Sequence, residues 1–269
     1  MKIDDAIELL PNKDIIINID GVFFPLDPLW KKISINVSGG ADSAMLSYLL
    51  LTKIIEKKLD IEIHIISNIR MWKSRPWQKF DSLNVFIFLK EKFPSLKIIR
   101  HENFIAPDIE YGNIGPIIKD ENGNMKSGDQ ISTRAYVEYF TYVNNIDAHF
   151  AGLSKNPTNT KISLSMPDRN VEFKNFNDLN LIMYKHNNTM FCHPYRFITK
   201  DWIIKKYKEL NLLNFLNLTR SCEGDNNSYP DVFNGLDYKN YQNGIYVPEC
   251  GRCFWCQERS WAKGMNNIK

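Results

Sequence analysis

The chain has 269 residues, enough for one substantial core with a small appended lobe. A hydrophobic fraction of 43% and a charged fraction of 24% fit a globular protein and exclude a disordered or fibrous one. The formal net charge of +3 is too mild to imply nucleic-acid binding by itself, and no apolar stretch is long enough to span a membrane.

The N-terminus, Met1 to Ala6, carries acids early and lacks an apolar signal core, so a cytoplasmic location is expected. Residues 1–32 read as an extension. Within it Ile15–Ile19 and Val22–Phe24 flank Asp20-Gly21, a two-residue turn that predicts a β-hairpin covering a sheet edge. Ile33 to Val37 alternate and are β-branched, the pattern of a strand. Ala44 to Leu51 are apolar on nearly every face, the pattern of a buried helix. Between them stands Ser38-Gly39-Gly40-Ala41-Asp42-Ser43. Glycine lets the backbone approach a ligand, and the first N–H groups of a helix lack internal partners and carry the positive end of its dipole. A strand-to-helix turn of this composition favours an anion, typically phosphate. The lysine of the GxxxxGK[ST] phosphate loop is absent.

Strand and helix then alternate. Strands are predicted at Ile61–Ile66, Leu96–Arg100, Ala148–Gly152 and Met190–Cys192. Helices are predicted at Lys79–Phe93, at Ile131–Val143 with Ile131, Ala135, Tyr139 and Val143 on one apolar face, and at Thr199–Leu210. This order predicts an α/β fold, a parallel sheet covered by helices on both faces, with ligands bound beyond the strands' carboxyl ends. The loop Asn68–Trp77 holds three cations, among them Arg70 and Arg75, and two tryptophans at such an end. It suits phosphates or a planar substrate, or is a solvated loop packed by its tryptophans. Pro107–Asp129 is a long polar loop.

Four of the five cysteines fall late, as Cys222 and then Cys250, Cys253 and Cys256 in a C-x2-C-x2-C run. In a cytosolic protein this spacing suits a metal rather than disulfides. Four thiolates can close a tetrahedral zinc site, and a [4Fe–4S] cluster takes the same ligands. Zinc is expected, because a closed set leaves no obvious role for redox chemistry. Such a site would tie the C-terminal helix to the Cys222 segment. Cys192, in an apolar strand, reads as core. No histidine has metal-ligand spacing.

The Ser38–Ser43 segment resembles the pyrophosphate loop of the PP-loop ATPases, motif SGGxDS, which cleave ATP between the α- and β-phosphates and adenylate a substrate. The order of that loop, Thr219-Arg220-Ser221-Cys222 and C-G-x-C-x-x-C further resembles the 7-cyano-7-deazaguanine synthases, over roughly residues 33–262. Those enzymes make a nitrile from 7-carboxy-7-deazaguanine, ammonia and ATP, and end in a four-cysteine zinc site. Arg134 would match the arginine of their P-x-R-N segment, and Lys200 the lysine before a later helix. Two departures stand out. The family's G-Y-P-D-C pocket segment has no counterpart in Gly152–Asn159, and its asparagine after the arginine is Ala135 here.

The resemblance implies a PP-loop domain at 33–215 and a cysteine-rich metal region at 216–269. It implies an ATP site of Ile35, Asn36, Val37, Ser38, Gly39, Gly40, Ala41, Asp42, Ser43, Ala44 and Met45, with adenine near Ile65 and Ser67. Asp42 would hold Mg²⁺, and Asp42, Ser43, Arg134 and Lys200 would serve catalysis. Arg70, Arg75, Arg134 and Gly152 would meet a deazaguanine-type carboxylate that ammonia then attacks. Cys222, Cys250, Cys253 and Cys256 would hold Zn²⁺. Homodimers are common in the resembled family. Two further readings are an adenylating enzyme acting on an RNA or protein acceptor, and a nucleotide-binding protein without catalysis.

Overall fold

The alternation of β-branched strands with apolar helices builds one six-stranded sheet in the computed structural model. The structure describes residues 2–8, 15–70, 77–105, 117–119, 125–157, 162, 169, 172–224, 229–234 and 247–268. In chain order the elements are α1 (Ile3–Glu8), β1 (Ile16–Ile19), β2 (Val22–Pro25), β3 (Lys32–Asn36), α2 (Ala41–Glu56), β4 (Glu62–Arg70), α3 (Gln78–Lys92) and β5 (Ile98–Ile105). They continue with β6 (Ile117–Lys119), β7 (Met125–Ser127), α4 (Gly128–Val143) and β8 (Ala148–Ala151). A 3-10 turn (Phe176–Leu181), β9 (Met183–His186), β10 (Thr189–Cys192), α5 (Lys200–Glu209), α6 (Leu213–Asn217), α7 (Pro230–Phe233) and α8 (Phe254–Met265) follow.

The sheet order is β5-β4-β3-β8-β10-β9. All neighbours pair in parallel except β9, which runs antiparallel to β10. From β3 the chain moves outward through β4 to β5 and then returns to β8 on the other side of β3. The order therefore reverses between β3 and β8, and a crevice opens there at the carboxyl ends.

Alternating residues face opposite layers. Ile33, Ile35, Ile63, Ile65, Ala148 and Phe150 point into the main core with the apolar residues of α2, α3 and α5. Each Leu or Ile buried there contributes about 1.5–3 kcal/mol. Ile66 packs on the other face with Phe140 and Ile146. That face also carries histidines. His64 and His101 are hydrogen-bonded at 2.9 Å, and His149 Nδ1 lies 2.8 Å from Ser34 Oγ.

Two expectations need correction, and one strand was unforeseen. The described side chains of the predicted stripe on α4 are exposed, Ala135 among them with Tyr139 65% and Val143 47% accessible, and Val137, Phe140 and Thr141 are buried instead; the Ile131 side chain lies outside the described residues. The helix is aromatic on two sides, so its periodicity fits either face. The hairpin forms around Asp20 and Gly21, both with positive φ, but it pairs with no strand of the main sheet. Its Val22, Phe24 and Leu26 enter the main core, where Phe24 meets the edge of Tyr195. The edge strand β9 was not expected. Four residues before an Asn187 turn at φ 53° are too short for alternation to register.

Ala262 of α8 lies in the main core, so the C-terminal segment is packed onto the sheet's helices. Cys222, Cys250 and Cys256 form a separate small cluster with Trp77, Phe233 and Val247. Among the described residues no helix is long and apolar enough to cross a membrane.

Candidate functional site

The turn after β3 is shaped by its glycines. Gly39 has φ +82°, and a Cβ there would stand 2.6 Å from Asp81 Cβ and 2.7 Å from the Ser82 nitrogen. Only glycine lets the turn pass this close to the start of α3. Gly40 caps α2 in an extended conformation without a side-chain cap. The first intrahelical bond is donated by Ala44 to Gly40 at 3.1 Å, so the preceding N–H groups have no partner within the helix. Ser43 Oγ donates to the Gly40 carbonyl at 3.1 Å, accepts from Ser38 N at 3.2 Å and lies 3.3 Å from Ser38 Oγ. These bonds hold the turn open around the helix N-terminus. From the other side of the switch point Gly152 closes in, where a Cβ would lie 3.1 Å from the Ser43 nitrogen.

A cavity of about 240 Å³ occupies this crevice. Its walls are the turn, the end of β8, the start of α3 through Gln78 and Asp81, and the segment Arg220–Cys222. Asn36, at the end of β3, also lines it and closes an amide ladder across three strands. Asn103 donates to Asn68 at 2.8 Å, and Asn68 donates to Asn36 at 3.3 Å.

Charge is concentrated at the cavity's inner wall. The Tyr207 hydroxyl donates to the Ala41 carbonyl at 2.8 Å and seats α5 on the start of α2. This brings Lys200, 2% exposed, within 3.3 Å of Asp42 Oδ1 and 2.9 Å of Glu258 Oε2. Arg169 Nη2 donates to Glu258 Oε1 at 2.8 Å, and its Nε donates to Asn156 at 2.6 Å. Ser154 donates to Asp42 Oδ2 at 2.8 Å. Trp255 lies under both cations, 4.9 Å from the Arg169 guanidinium and 5.6 Å from Lys200 Nζ. Burial opposes the charge on Lys200, but Asp42 and Glu258 outweigh it and raise its pKa above the ordinary lysine value. Two cations thus stand fixed and charged beside an anion-seeking turn.

The cysteines complete the far wall. Sγ atoms of Cys222, Cys250, Cys253 and Cys256 all lie within 4.8 Å of one another, and Cys222 reaches the cavity. Backbone N–H groups already point at sulfur. Gly224 and Cys250 donate to Cys222 at 3.3 and 3.2 Å, and Cys253 donates to Cys250 at 3.2 Å. A Cβ on Gly224 would meet Cys250 Sγ at 2.9 Å, so the cradle is closed to a larger residue. Four converging soft donors in this arrangement fit one thiophilic metal ion. The segment is tied to the turn directly: Arg220 N donates to the Gly39 carbonyl at 2.9 Å, and its guanidinium bonds the Val247 and Pro248 carbonyls. Arg259 of α8 bonds the Thr219 and Leu216 carbonyls.

Of the residues singled out from sequence, Asn36, Ser38, Gly40, Ala41, Asp42, Ser43, Gly152, Lys200 and Cys222 line one cavity. Gly39 shapes its rim. Ile35, Val37, Ala44, Met45 and Ile65 have fully buried side chains in the core, leaving only backbone for a ligand. Ser67 is buried within β4, three residues before its end, and does not line the cavity. Arg134 does not reach this cavity. It is exposed on α4 and donates to Glu138 one turn on at 2.7 Å, so it lies outside the assembled site. Arg75 and the Arg70 side chain lie outside the described residues. Sequence reasoning missed Arg169, Glu258, Ser154 and Trp255, single residues with no local pattern. The Trp255 position between two cysteines was the one usable signal.

No family model and no curated protein sequence matches the chain. Among solved structures, the U34-tRNA thiolase NcsA from Methanococcus maripaludis with its [4Fe–4S] cluster is similar at 13% identity and a TM-score of 0.46, over 96% of this chain and 77% of that one. NMN synthetase from Francisella tularensis is similar at 12% identity and a TM-score of 0.41, over 89% of this chain and 85% of that one.

Proposed function

We propose that the chain is an ATP-dependent adenylating enzyme of the PP-loop type. One observation carries this reading: the SGGxDS turn sits at the sheet's switch point, with charged, buried Lys200 held 3.3 Å from Asp42 in the same cavity. The N–H groups at the start of α2 would take the pyrophosphate, assisted by Ser38 and Ser43. Asp42 Oδ1 is buried and accepts no hydrogen bond among the described residues; it faces the Lys200 ammonium at 3.3 Å, and a bound Mg²⁺ would share that oxygen with Lys200. Lys200 and Arg169 would offset charge that grows on the phosphate as the bond to pyrophosphate breaks. Such chemistry asks for positioning and electrostatics rather than a protein nucleophile.

The substrate we propose is a carboxylate of the 7-carboxy-7-deazaguanine type, with ammonia as the second nucleophile. The carboxylate oxygen attacks the α-phosphate and releases pyrophosphate, and ammonia then displaces AMP. For the cysteines we propose zinc. Sulfurs bonded tetrahedrally to one zinc at about 2.3 Å sit about 3.8 Å apart. Cys250 and Cys256 sulfurs lie 3.9 Å apart and all four within 4.8 Å, whereas a cubane would spread its ligands wider. Cys222 and Arg220 at the cavity wall leave room for a second reading, in which the adenylated acceptor is an RNA or a protein.

The test is a pyrophosphate-release assay with ATP, Mg²⁺, ammonium and 7-carboxy-7-deazaguanine, followed by mass spectrometry. AMP, pyrophosphate and an amide or nitrile product support the first reading. ATP binding without turnover overturns that acceptor and moves the search to RNA and protein.

A further inference from the structure

Glu258 is fully buried, yet the proposed reaction gives it no part. It follows directly on the first turn of α8, which Cys253 caps and Cys256 enters. Residues three apart share a helix face. One face of the helix start therefore shows Cys253 and Cys256 to the thiol cluster, and another shows Trp255 and Glu258 to the cavity's cations. The Glu258 carboxylate spans Lys200 at 2.9 Å and Arg169 at 2.8 Å, while the Trp255 ring lies beneath both. Lys200 reaches Asp42 of the turn, and Arg169 reaches Asn156 beside Ser154, which bonds the same Asp42. The path from sulfur to phosphate turn is one rigid helical turn and one shared carboxylate.

We propose that Glu258 is a positioning residue that couples the thiol centre to the nucleotide cavity. A metal held by the cysteines fixes the first turn of α8, that turn fixes Glu258, and Glu258 holds Lys200 and Arg169 against the Asp42 turn. This rests on the nucleotide and metal readings above. Coupling of this kind is reciprocal: if bound metal tightens nucleotide, bound nucleotide tightens metal by the same factor. A carboxylate that only neutralises buried cations would stabilise the fold without linking the two sites.

The experiment uses the full chain loaded with zinc. Zinc affinity is measured by competition with a chromogenic chelator, with and without Mg²⁺ and α,β-methylene-ATP. Calorimetry establishes that the nucleotide is bound. In the native protein the nucleotide is expected to tighten zinc by at least about fivefold. In Glu258→Gln, which keeps the shape and removes the charge, the factor is expected to fall below about twofold while both ligands still bind. Equal tightening in both proteins overturns the role of Glu258. Nucleotide binding with no zinc response in the native protein overturns the coupling alone. A native protein that binds no nucleotide overturns the nucleotide reading, and one that binds no zinc overturns the metal reading. Should Glu258→Gln fail to fold by circular dichroism, Arg169→Gln replaces it and is expected at least to halve the native factor. An undiminished factor there overturns the proposal.

Discussion

Gly39 and Gly21 share a φ of +82°, but they meet different surroundings. Nothing lies within 4 Å of a Cβ at Gly21, whereas one at Gly39 drives into the backbone at Asp81 and Ser82. Gly21→Ala is therefore expected to cost only the left-handed penalty, about 1–2 kcal/mol in urea unfolding. Gly39→Ala is expected to cost more, about 3 kcal/mol, and to abolish nucleotide binding, because the turn must move off α3. Equal losses would show that the close approach is unimportant. Lys200→Met leaves buried Glu258 and part-buried Asp42 without their shared cation; because Arg169 still faces Glu258 and Ser154 still bonds Asp42, it is expected to destabilise by about 3 kcal/mol, the low end for a broken buried pair, and to stop pyrophosphate release. Unaltered release in that variant would remove Lys200 from the site. At this scale the sequence was most legible where residues stand together, as in Ser38–Ser43, or have a helix-start position, as in Lys200. Arg134, assigned to the site through the resemblance, lies on the exposed face of α4 in the i+4 pair with Glu138 that its spacing also allows. Arg169 and Glu258 are brought together from 89 residues apart, which no local pattern encodes.

Single elements carry the pH dependence. His149 of β8 is buried, and that burial, with the nearby His193, pulls its pKa down to about 3. Burial and Arg196 bring His193 to about 4. Both are neutral in the fold and take up protons near pH 6.5 when it opens. The unfolded state thus binds more protons below that pH, so their contribution is complete above about 6.5 and is lost as pH falls toward the folded values. Each adds a slope of about 1.4 kcal/mol per pH unit in that window. Urea midpoints measured from pH 7.5 to 5 are expected to fall less steeply in His149→Gln than in the native chain. Parallel profiles would show that His149 is not excluded from protonation. The strands β3, β4, β8 and β10 and the helices α2 and α5 were readable because their apolar periodicity agrees with their burial, whereas α3, placed by its Phe80, Leu83, Phe86 and Ile87 spacing, buries Gln78, Asp81, Ser82, Val85 and Leu89 and leaves Ile87 exposed. The burial of α4 was not, since its Tyr and Phe residues offer two competing stripes and the histidine-bearing face of the sheet selects the one with Phe140.

Over the whole molecule, the thiol cluster and the main core are separate units joined by α8. Ala262 belongs to the core, while Cys256 belongs to the cluster with Trp77 and Phe233. Removing a bound metal is therefore expected to loosen the cluster and leave the sheet folded, since metal binding energy acts where its ligands are. A thiol reagent offers the check. Chelation should make the four clustered cysteines react fast, while Cys192, fully buried and with its thiol pKa pushed up by burial, should react only in denaturant. Fast reaction of all five after chelation would mean that the core depends on the metal.

The central claim is that the crevice between β3 and β8 transfers AMP to a carboxylate. It is tested most directly by isotope. 7-Carboxy-7-deazaguanine labelled with ¹⁸O in its carboxylate is incubated with the zinc-loaded chain, ATP, Mg²⁺ and ammonium, and the nucleotide products are weighed by mass spectrometry. Attack of the carboxylate on the α-phosphate predicts AMP carrying one labelled oxygen and pyrophosphate carrying none. Unlabelled AMP, or ADP with phosphate, would contradict the account.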